Sequence, residues 1–336
     1  MQTIKRSLFL IIFPMFTIFL FSACTSKITI KALEPSKVSS QKVNVVAISN
    51  IRNDNLNQTQ SIANAISNKV IDNKRVFTLQ NNPIGVDAIV NGEIINSSAN
   101  YDVYYEEEID YSRCRYFRYD ERTRTKQCLQ YDIKYIPCES KYYNVTTALS
   151  LVNPNTNTVI FSKTYDKSSK DNVCYDRYFS YSRVFPSHLN AQNDSFKVNS
   201  QIAFEIARDF VNDISPNYIY FNVEIIEELA SNNLYTSSHK DRFKTAVSYL
   251  ENSQFEVALD ILKNLDIELN GKSYEVAYNL GLIFEANDDL EISNKLYLAA
   301  KELTITDLKH RNLIDYAINR TNLNIQNKIK AKSQLN

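Results

Sequence analysis

The chain has 336 residues, room for two modest domains, and its 38 Lys and Arg balance 38 Asp and Glu. With no net charge, no global field draws it to nucleic acid or to anionic lipid. Four glycines, at positions 85, 92, 271 and 281, exclude a Gly-rich phosphate loop, and three isolated histidines, at 188, 239 and 310, leave no local metal or triad motif. No residue is assigned a catalytic role, no metal or cofactor is expected, and the chain reads as a non-enzyme.

Residues 1–23 have the layout of a secretory signal. Lys5 and Arg6 precede an apolar run from Leu8 to Phe21, interrupted by Pro14. The run is shorter than the ~20 residues a membrane span needs. Phe21-Ser22-Ala23-Cys24 resembles the lipobox of bacterial lipoproteins, with Phe21 where leucine is usual. The resemblance implies that Cys24 is acylated and becomes the mature N-terminus, held in the bilayer by several acyl chains. Thr25 in place of Asp implies the outer membrane, with the protein on its periplasmic face. Residues 24–40 show no sustained pattern and read as a tether.

Residues 41–229 read as an α/β domain. Val43 to Ile48 is rich in β-branched residues and predicts a buried strand. Ile62, Ala63, Ile66, Val70 and Ile71 share one helical face. Val76-Phe77-Thr78-Leu79 predicts a second strand, and Val86, Ala88, Val90 and Ile94 mark a third. Tyr143 to Val152, a Pro154-Asn155 turn and Asn157 to Lys167 predict a hairpin, and Val198 to Pro216 an amphipathic helix. Tyr218 to Glu228 alternates as a last strand. This order, and above all Asp87-Ala88-Ile89-Val90-Asn91-Gly92-Glu93-Ile94, resembles the domain shared by the curli secretion lipoprotein CsgG, the peptidoglycan-synthase activator LpoB and the N-terminal domain of TolB. In that resemblance Asn157 stands for a turn glycine, a place Asn tolerates because it accepts positive φ. Members of the family act by binding and assembly, so the resemblance transfers no catalytic residue.

Residues 97–141 interrupt the family pattern as an insert. It carries Cys114, Cys128 and Cys138, and Cys174 follows after the next hairpin. In the oxidising compartment implied by the lipobox, four cysteines without a close C-x-x-C-type pair read as two disulfides and not as zinc ligands. Apolar residues alternate at Tyr101, Val103, Tyr105, Ile109 and Tyr111, and again at Leu129, Tyr131, Ile133 and Tyr135. A hairpin centred on Glu121 sets Tyr111 against Tyr131, Ile109 against Ile133, Glu108 against Lys134 and Cys114 against Cys128. Cys138 is then left for Cys174. Asp110 opposite Asp132 weighs against this register. The basic, aromatic composition suits RNA stacking, but outside the cytoplasm no nucleic-acid partner is expected. Charges on both faces near the tip weigh against a pore strand.

Residues 238–325 change to a helical period. Ala246, Tyr249, Ala258 and Leu262 align with Gly281, Phe284, Ser293 and Tyr297 at a constant offset of 35 residues. The offset and Leu280-Gly281, Phe284, Tyr297 and Ala300 resemble the tetratricopeptide (TPR) repeat, whose period is about 34. Asn270-Gly271 predicts the turn between copies. The resemblance implies a concave groove lined by Phe243, Val247, Leu250, Glu275, Tyr278, Asn279 and Leu282, either open to a partner or packed against the first domain.

The expected fold class is α+β: a CsgG/TolB-N-like α/β sandwich with a disulfide-bonded hairpin insert, then an all-α TPR-like helical-hairpin domain. The expected function is a lipid-anchored scaffold for an envelope assembly or secretion complex, with an unidentified envelope protein as partner and homo-oligomerisation open. An activator of a cell-wall enzyme, as LpoB is, is the alternative, and a CsgG-like channel is less favoured.

Overall fold

The computed structural model describes residues 26–38, 42–174, 188–231, 233–304 and 307–335. In chain order they form β1 (Lys27–Glu34), β2 (Val45–Ile48), α1 (Gln58–Ser67), the two-residue strands β3 (Val70–Ile71) and β4 (Lys74–Arg75), and β5 (Thr78–Gln80). Two long strands follow, β6 (Ala88–Asp120) and β7 (Thr125–Asn153), then β8 (Thr158–Cys174), α2 (His188–Ile214) and β9 (Asn217–Glu224). The last elements are helices α3 (Ser237–Glu251), α4 (Phe255–Glu268), α5 (Tyr274–Ala286), α6 (Leu290–Leu303) and α7 (Leu308–Gln334). The chain divides into two compact units, a sheet unit (Pro35–Asn217 with Ala331–Asn336) and a helical unit (Met1–Glu34 with Tyr218–Lys330).

The sheet unit is built on five strands in the order β5-β2-β6-β7-β8. β2 runs parallel to both β5 and β6, while β6, β7 and β8 are successively antiparallel. Period-two alternation puts Ala88, Val90 and Ile94 of β6 and Val145, Leu149 and Leu151 of β7 in the core. Helix α2 covers them with Ile202, Ala203, Ile206, Phe210, Val211 and Ile214. Each such large apolar side chain contributes about 1.5–3 kcal/mol by leaving water.

The residues of the Asp87–Ile94 motif have structural work. The Asp87 carboxylate accepts the backbone N–H groups of Asn44 and Val45, both at 2.8 Å, and so fixes the start of β2 beside β6. A Cβ at Gly92 would lie 2.6 Å from Leu149 Cδ2 and 2.8 Å from the Ala148 carbonyl, so only glycine lets β7 come this close. Asn157 takes φ +55°, as its place in the turn requires.

Several expected boundaries move. Val70 and Ile71 leave the helix, which ends at Ser67, and form β3. Helix α2 begins at His188, ten residues before Val198, and β8 continues to Cys174. The segment 97–141 is a hairpin, as expected, and its two strands are continuous with the body: β6 begins at Ala88 and β7 runs on to Asn153.

The helical unit differs most from expectation. Residues 24–40, read as a tether, contain β1, whose Ile28, Ile30 and Ala32 are buried. β1 pairs with β9 in a two-stranded sheet, so Tyr218–Glu224 joins the helices and not the first domain. β1 packs against α3 and α5. The helices pair as α3–α4 and α5–α6. Asn270 and Gly271, both at positive φ, form the turn between the pairs. At Gly281 an added Cβ would stand 2.6 Å from the Tyr297 ring, so this glycine sets the close approach of α5 and α6. Glu285 is fully buried and takes a two-pronged bond from Arg320 of α7 (2.8 and 2.7 Å) and a third from the Tyr297 hydroxyl (2.7 Å).

Candidate functional site

The seven expected groove residues come together, but not as an open groove. Phe243, Val247, Leu250, Glu275, Tyr278, Asn279 and Leu282 are only 0–6 % exposed. Phe243, Val247, Leu250, Tyr278 and Leu282 share one core with Ile28 and Ile30 of β1 and with Val223, Ile225, Ile226, Leu229 and Tyr235. The polar atoms of the seven are spent on partners within the chain. Asn279 accepts the Ile226 N–H at 3.2 Å and donates to the Ile226 carbonyl at 2.8 Å. Glu275 accepts the Ala230 N–H (2.8 Å), the Tyr235 hydroxyl (2.6 Å) and the Ser273 hydroxyl (2.7 Å). The Tyr278 hydroxyl donates to the Glu224 carbonyl at 2.9 Å. These bonds are what a peptide-binding surface would offer a partner, and residues 224–235 take them instead. The apolar residues Ile225, Ile226 and Leu229, placed in sequence just before the helices, are the signal that this segment is buried there.

The four downstream cysteines form two disulfides, Cys114–Cys128 and Cys138–Cys174. Cys138 and Cys174 are direct ladder partners on β7 and β8. Glu106 lies beside them, but sulfurs bonded to each other offer no thiolate to a metal. The register of β6 on β7 agrees with the sequence up to Asp110: Ile109 faces Ile133, Glu108 faces Lys134 and Asp110 faces Asp132. Above Asp110 irregularities shift the pairing, so that Cys114 faces Tyr131, Cys128 faces Phe117 and Asp120 faces Thr125. The turn therefore spans 121–124 and is not centred on Glu121, and Cys114 reaches Cys128 obliquely. Tyr111 still meets Tyr131 edge to face, with centroids 5.0 Å apart. The two facing aspartates are tolerated because the Ser112 hydroxyl and N–H bond Asp110, and Arg113 and Lys134 stand near it. These groups hold its carboxyl below the usual range.

Beyond this body β6 and β7 form a two-stranded ribbon. β2 pairs with β6 only as far as Val90, and β8 pairs with β7 only from Cys138 onward. From Tyr105 to Asp120 the ribbon therefore runs without a third strand among the described residues, a reach of roughly 50 Å at ~3.4 Å per residue. Alternation gives it one apolar face, made by Tyr105, Ile109 and Tyr111 of β6 and Leu129, Tyr131, Ile133 and Tyr135 of β7. These seven side chains are 37–72 % exposed. Glu107, opposite Tyr135, is the charge within that face. The reverse face carries Glu106, Glu108, Asp110, Asp132 and Lys134, with Glu108 and Lys134 paired at 2.6 Å.

Charge is divided along the ribbon's length. Residues 102–111 hold five acids, Asp102, Glu106, Glu107, Glu108 and Asp110, and no base. Residues 112–127 hold six cations, Arg113, Arg115, Arg118, Arg122, Arg124 and Lys126, against Asp120 and Glu121, a net charge of +4. Every residue from Tyr111 to Gln127 is exposed, Tyr116, Phe117 and Tyr119 among them.

Cys24 and the apolar run before it lie outside the described residues. No helix among the described residues is long and apolar enough to cross a membrane, a statement that leaves strands aside.

No protein-family description matches the chain, and no curated protein matches it. Among solved structures, a minor lipoprotein from Acinetobacter baumannii, known from a crystal structure, is similar over 51 % of this chain and 90 % of its own. The identity is 5 % and the TM-score 0.27, too loose a likeness to carry fold or function.

Proposed function

We propose that the chain is a lipid-anchored envelope protein of the outer membrane's periplasmic face that works by binding and not by catalysis, with the β6–β7 ribbon as its docking arm. The observation that carries this reading is the ribbon's exposed apolar face. Seven large side chains stand clear of the body on strands with no further neighbour among the described residues, while the residues expected to form a groove are already filled from within the chain. A contiguous apolar patch of this kind marks an interaction surface. The anchor rests on Phe21-Ser22-Ala23-Cys24 and gains a physical consequence from the fold. β1 begins at Lys27, three residues after Cys24, so acyl chains on Cys24 would hold the helical unit close to the bilayer.

Metabolic labelling with a fatty acid tests the anchor: label should enter the chain and be lost in Cys24→Ala. Crosslinking followed by capture from native envelopes tests the arm. Replacement of Ile109, Tyr111 and Ile133 by Ser should abolish the captured partners, and an unchanged capture profile would remove the ribbon from this role. Secretion or surface-assembly components among the partners favour a scaffold. A peptidoglycan synthase favours an activator.

A second reading has one observation in its favour. The apolar face spans about 20 Å, from Tyr105 to Tyr111, near the ~25 Å lipid-facing band of an outer-membrane barrel strand. A ring of copies contributing hairpins to a channel, as in CsgG, would appear in the same crosslinking as a ladder of multiples well beyond two.

A further inference from the structure

We infer that the ribbon's apolar face packs against the same face of a second copy of the chain, with the two ribbons antiparallel. This rests on the reading of the ribbon as a docking surface and names the occupant of that surface.

Two features of the ribbon converge on that occupant. The first is area. Side chains of Tyr105, Ile109, Tyr111, Leu129, Tyr131, Ile133 and Tyr135, at 37–72 % exposure, present on the order of 700 Å². Ordinary monomers expose patches of about 300–600 Å² at most. A stable pairwise interface takes about 800 Å² from each partner. One ribbon face therefore supplies most of what a two-fold interface needs, and an isologous contact requires only that the patch complement itself. The mixed tyrosine and aliphatic surface does so by edge-to-face and aromatic–aliphatic packing, as Tyr111 and Tyr131 already show within one copy.

The second feature is the division of charge. A two-fold axis along the ribbons would set basic tip on basic tip and acidic stem on acidic stem. An axis across them, near Ile109 and Ile133, reverses one ribbon. Because Cys114 stands opposite Tyr131, two places from Ile133, Arg113 and Arg115 of one copy then come to the level of Glu106 to Glu108 of the other. Glu107, the charge within the apolar face, comes to the level of Cys114 and Tyr131, clear of its counterpart in the other copy. The antiparallel arrangement therefore covers the apolar face, keeps the two Glu107 carboxylates apart and sets no basic tip on a basic tip. An anionic lipid surface would satisfy the tip but repel the five acids beside the patch.

The test is site-specific photocrosslinking of the full chain in the cells that produce it. The photoreactive residue p-benzoylphenylalanine is placed at Ile109, at Ile133 and, as a control, at exposed Tyr220 of β9. The first two should give a product of twice the chain's mass whose crosslinked peptides join ribbon to ribbon, and Tyr220 should not. Arg113→Glu with Arg115→Glu should cut that product at least tenfold. Co-expression with a differently tagged copy carrying Glu106→Lys and Glu107→Lys should restore a mixed product. Formation of the Cys114–Cys128 bond in each variant reports that the ribbon has folded. A ladder of higher multiples, a product with lipid, or failure of the charge exchange to restore pairing would overturn the antiparallel dimer. A crosslink to a different envelope protein would also overturn it while sustaining the docking arm. The absence of any ribbon crosslink to protein would overturn both.

Discussion

Asn279 and Lys69 show how differently two polar side chains serve this fold. Asn279 is fully buried and satisfies both the N–H and the carbonyl of Ile226. Asn279→Leu removes both bonds and leaves two buried backbone groups unpaired, at about 1–3 kcal/mol for each. We expect a loss of about 2–6 kcal/mol in urea unfolding followed by helical circular dichroism. Lys69 is half-buried, with its ammonium donating to Asn212 Oδ1 at 2.6 Å, a neutral partner. Burial pulls its pKa from 10.5 down to about 8. The folded state therefore holds the proton less firmly than the unfolded chain. Between pH 8 and pH 10.5 the unfolded state binds more protons, so this residue makes stability rise with pH across that window. Below pH 8 the cost of the buried charge is present in full. Lys69→Met should raise the urea midpoint at pH 7, and the difference from the parent chain should shrink by pH 10. A difference that stays constant with pH would show that packing, not charge, is responsible.

The elements differ in how far their parts are tied to a core. Cys138 is fully buried where β7 meets β8, and its bond to Cys174 closes a separation of 36 residues. Cys114–Cys128 spans 14 residues in the exposed upper ribbon. Loss of a disulfide acts chiefly by freeing the unfolded chain, and it reaches global stability only where the crosslinked segment unfolds with the core. Replacing Cys138 and Cys174 by Ser should cost about 2–4 kcal/mol in the unfolding of the sheet unit. Replacing Cys114 and Cys128 by Ser should leave that midpoint unchanged. It should instead speed trypsin cleavage within Arg113–Lys126, read by mass spectrometry of the early fragments. The lower ribbon was legible in the sequence because alternation over Tyr101–Tyr111 and Leu129–Tyr135 fixes which face each residue takes. The upper ribbon was not. Irregular pairing after Asp110 shifts register without leaving a compositional trace, so counting from an assumed turn at Glu121 placed Cys114 opposite Cys128 when its ladder partner is Tyr131.

At the scale of the whole molecule the N-terminal segment after Cys24 matters most. β1 supplies Ile28 and Ile30 to the helical core and pairs with β9, so the helices are not a self-sufficient stack. Two helical hairpins and α7 barely meet the usual need for about three stacked repeats. β1 and the segment through Tyr235 supply the missing layer. Ile28→Asp with Ile30→Asp would bury two charges without partners and should melt the helical unit at 37 °C, seen as loss of the 222 nm signal. Retention of that signal would show the helices fold without β1.

The sequence by itself determined what depends on neighbours along the chain. Alternation gave the strands and the ribbon's apolar face. The 35-residue offset gave the helical hairpins. Asn157 and Asn270-Gly271 gave turns at positive φ. Cysteine count and spacing pointed to two disulfides. Only the tertiary structure decided what depends on residues far apart in sequence. Lys27–Glu34 has too little pattern of its own to announce a strand, and it becomes one because β9, almost two hundred residues later, pairs with it. The groove residues read as a binding surface because the TPR resemblance places them in that family's concave groove, where Glu275, Tyr278 and Asn279 carry polar groups. Those groups are taken by Glu224, Ile226, Ala230 and Tyr235, because buried donors and acceptors must be paired and the nearest backbone belongs to the same chain.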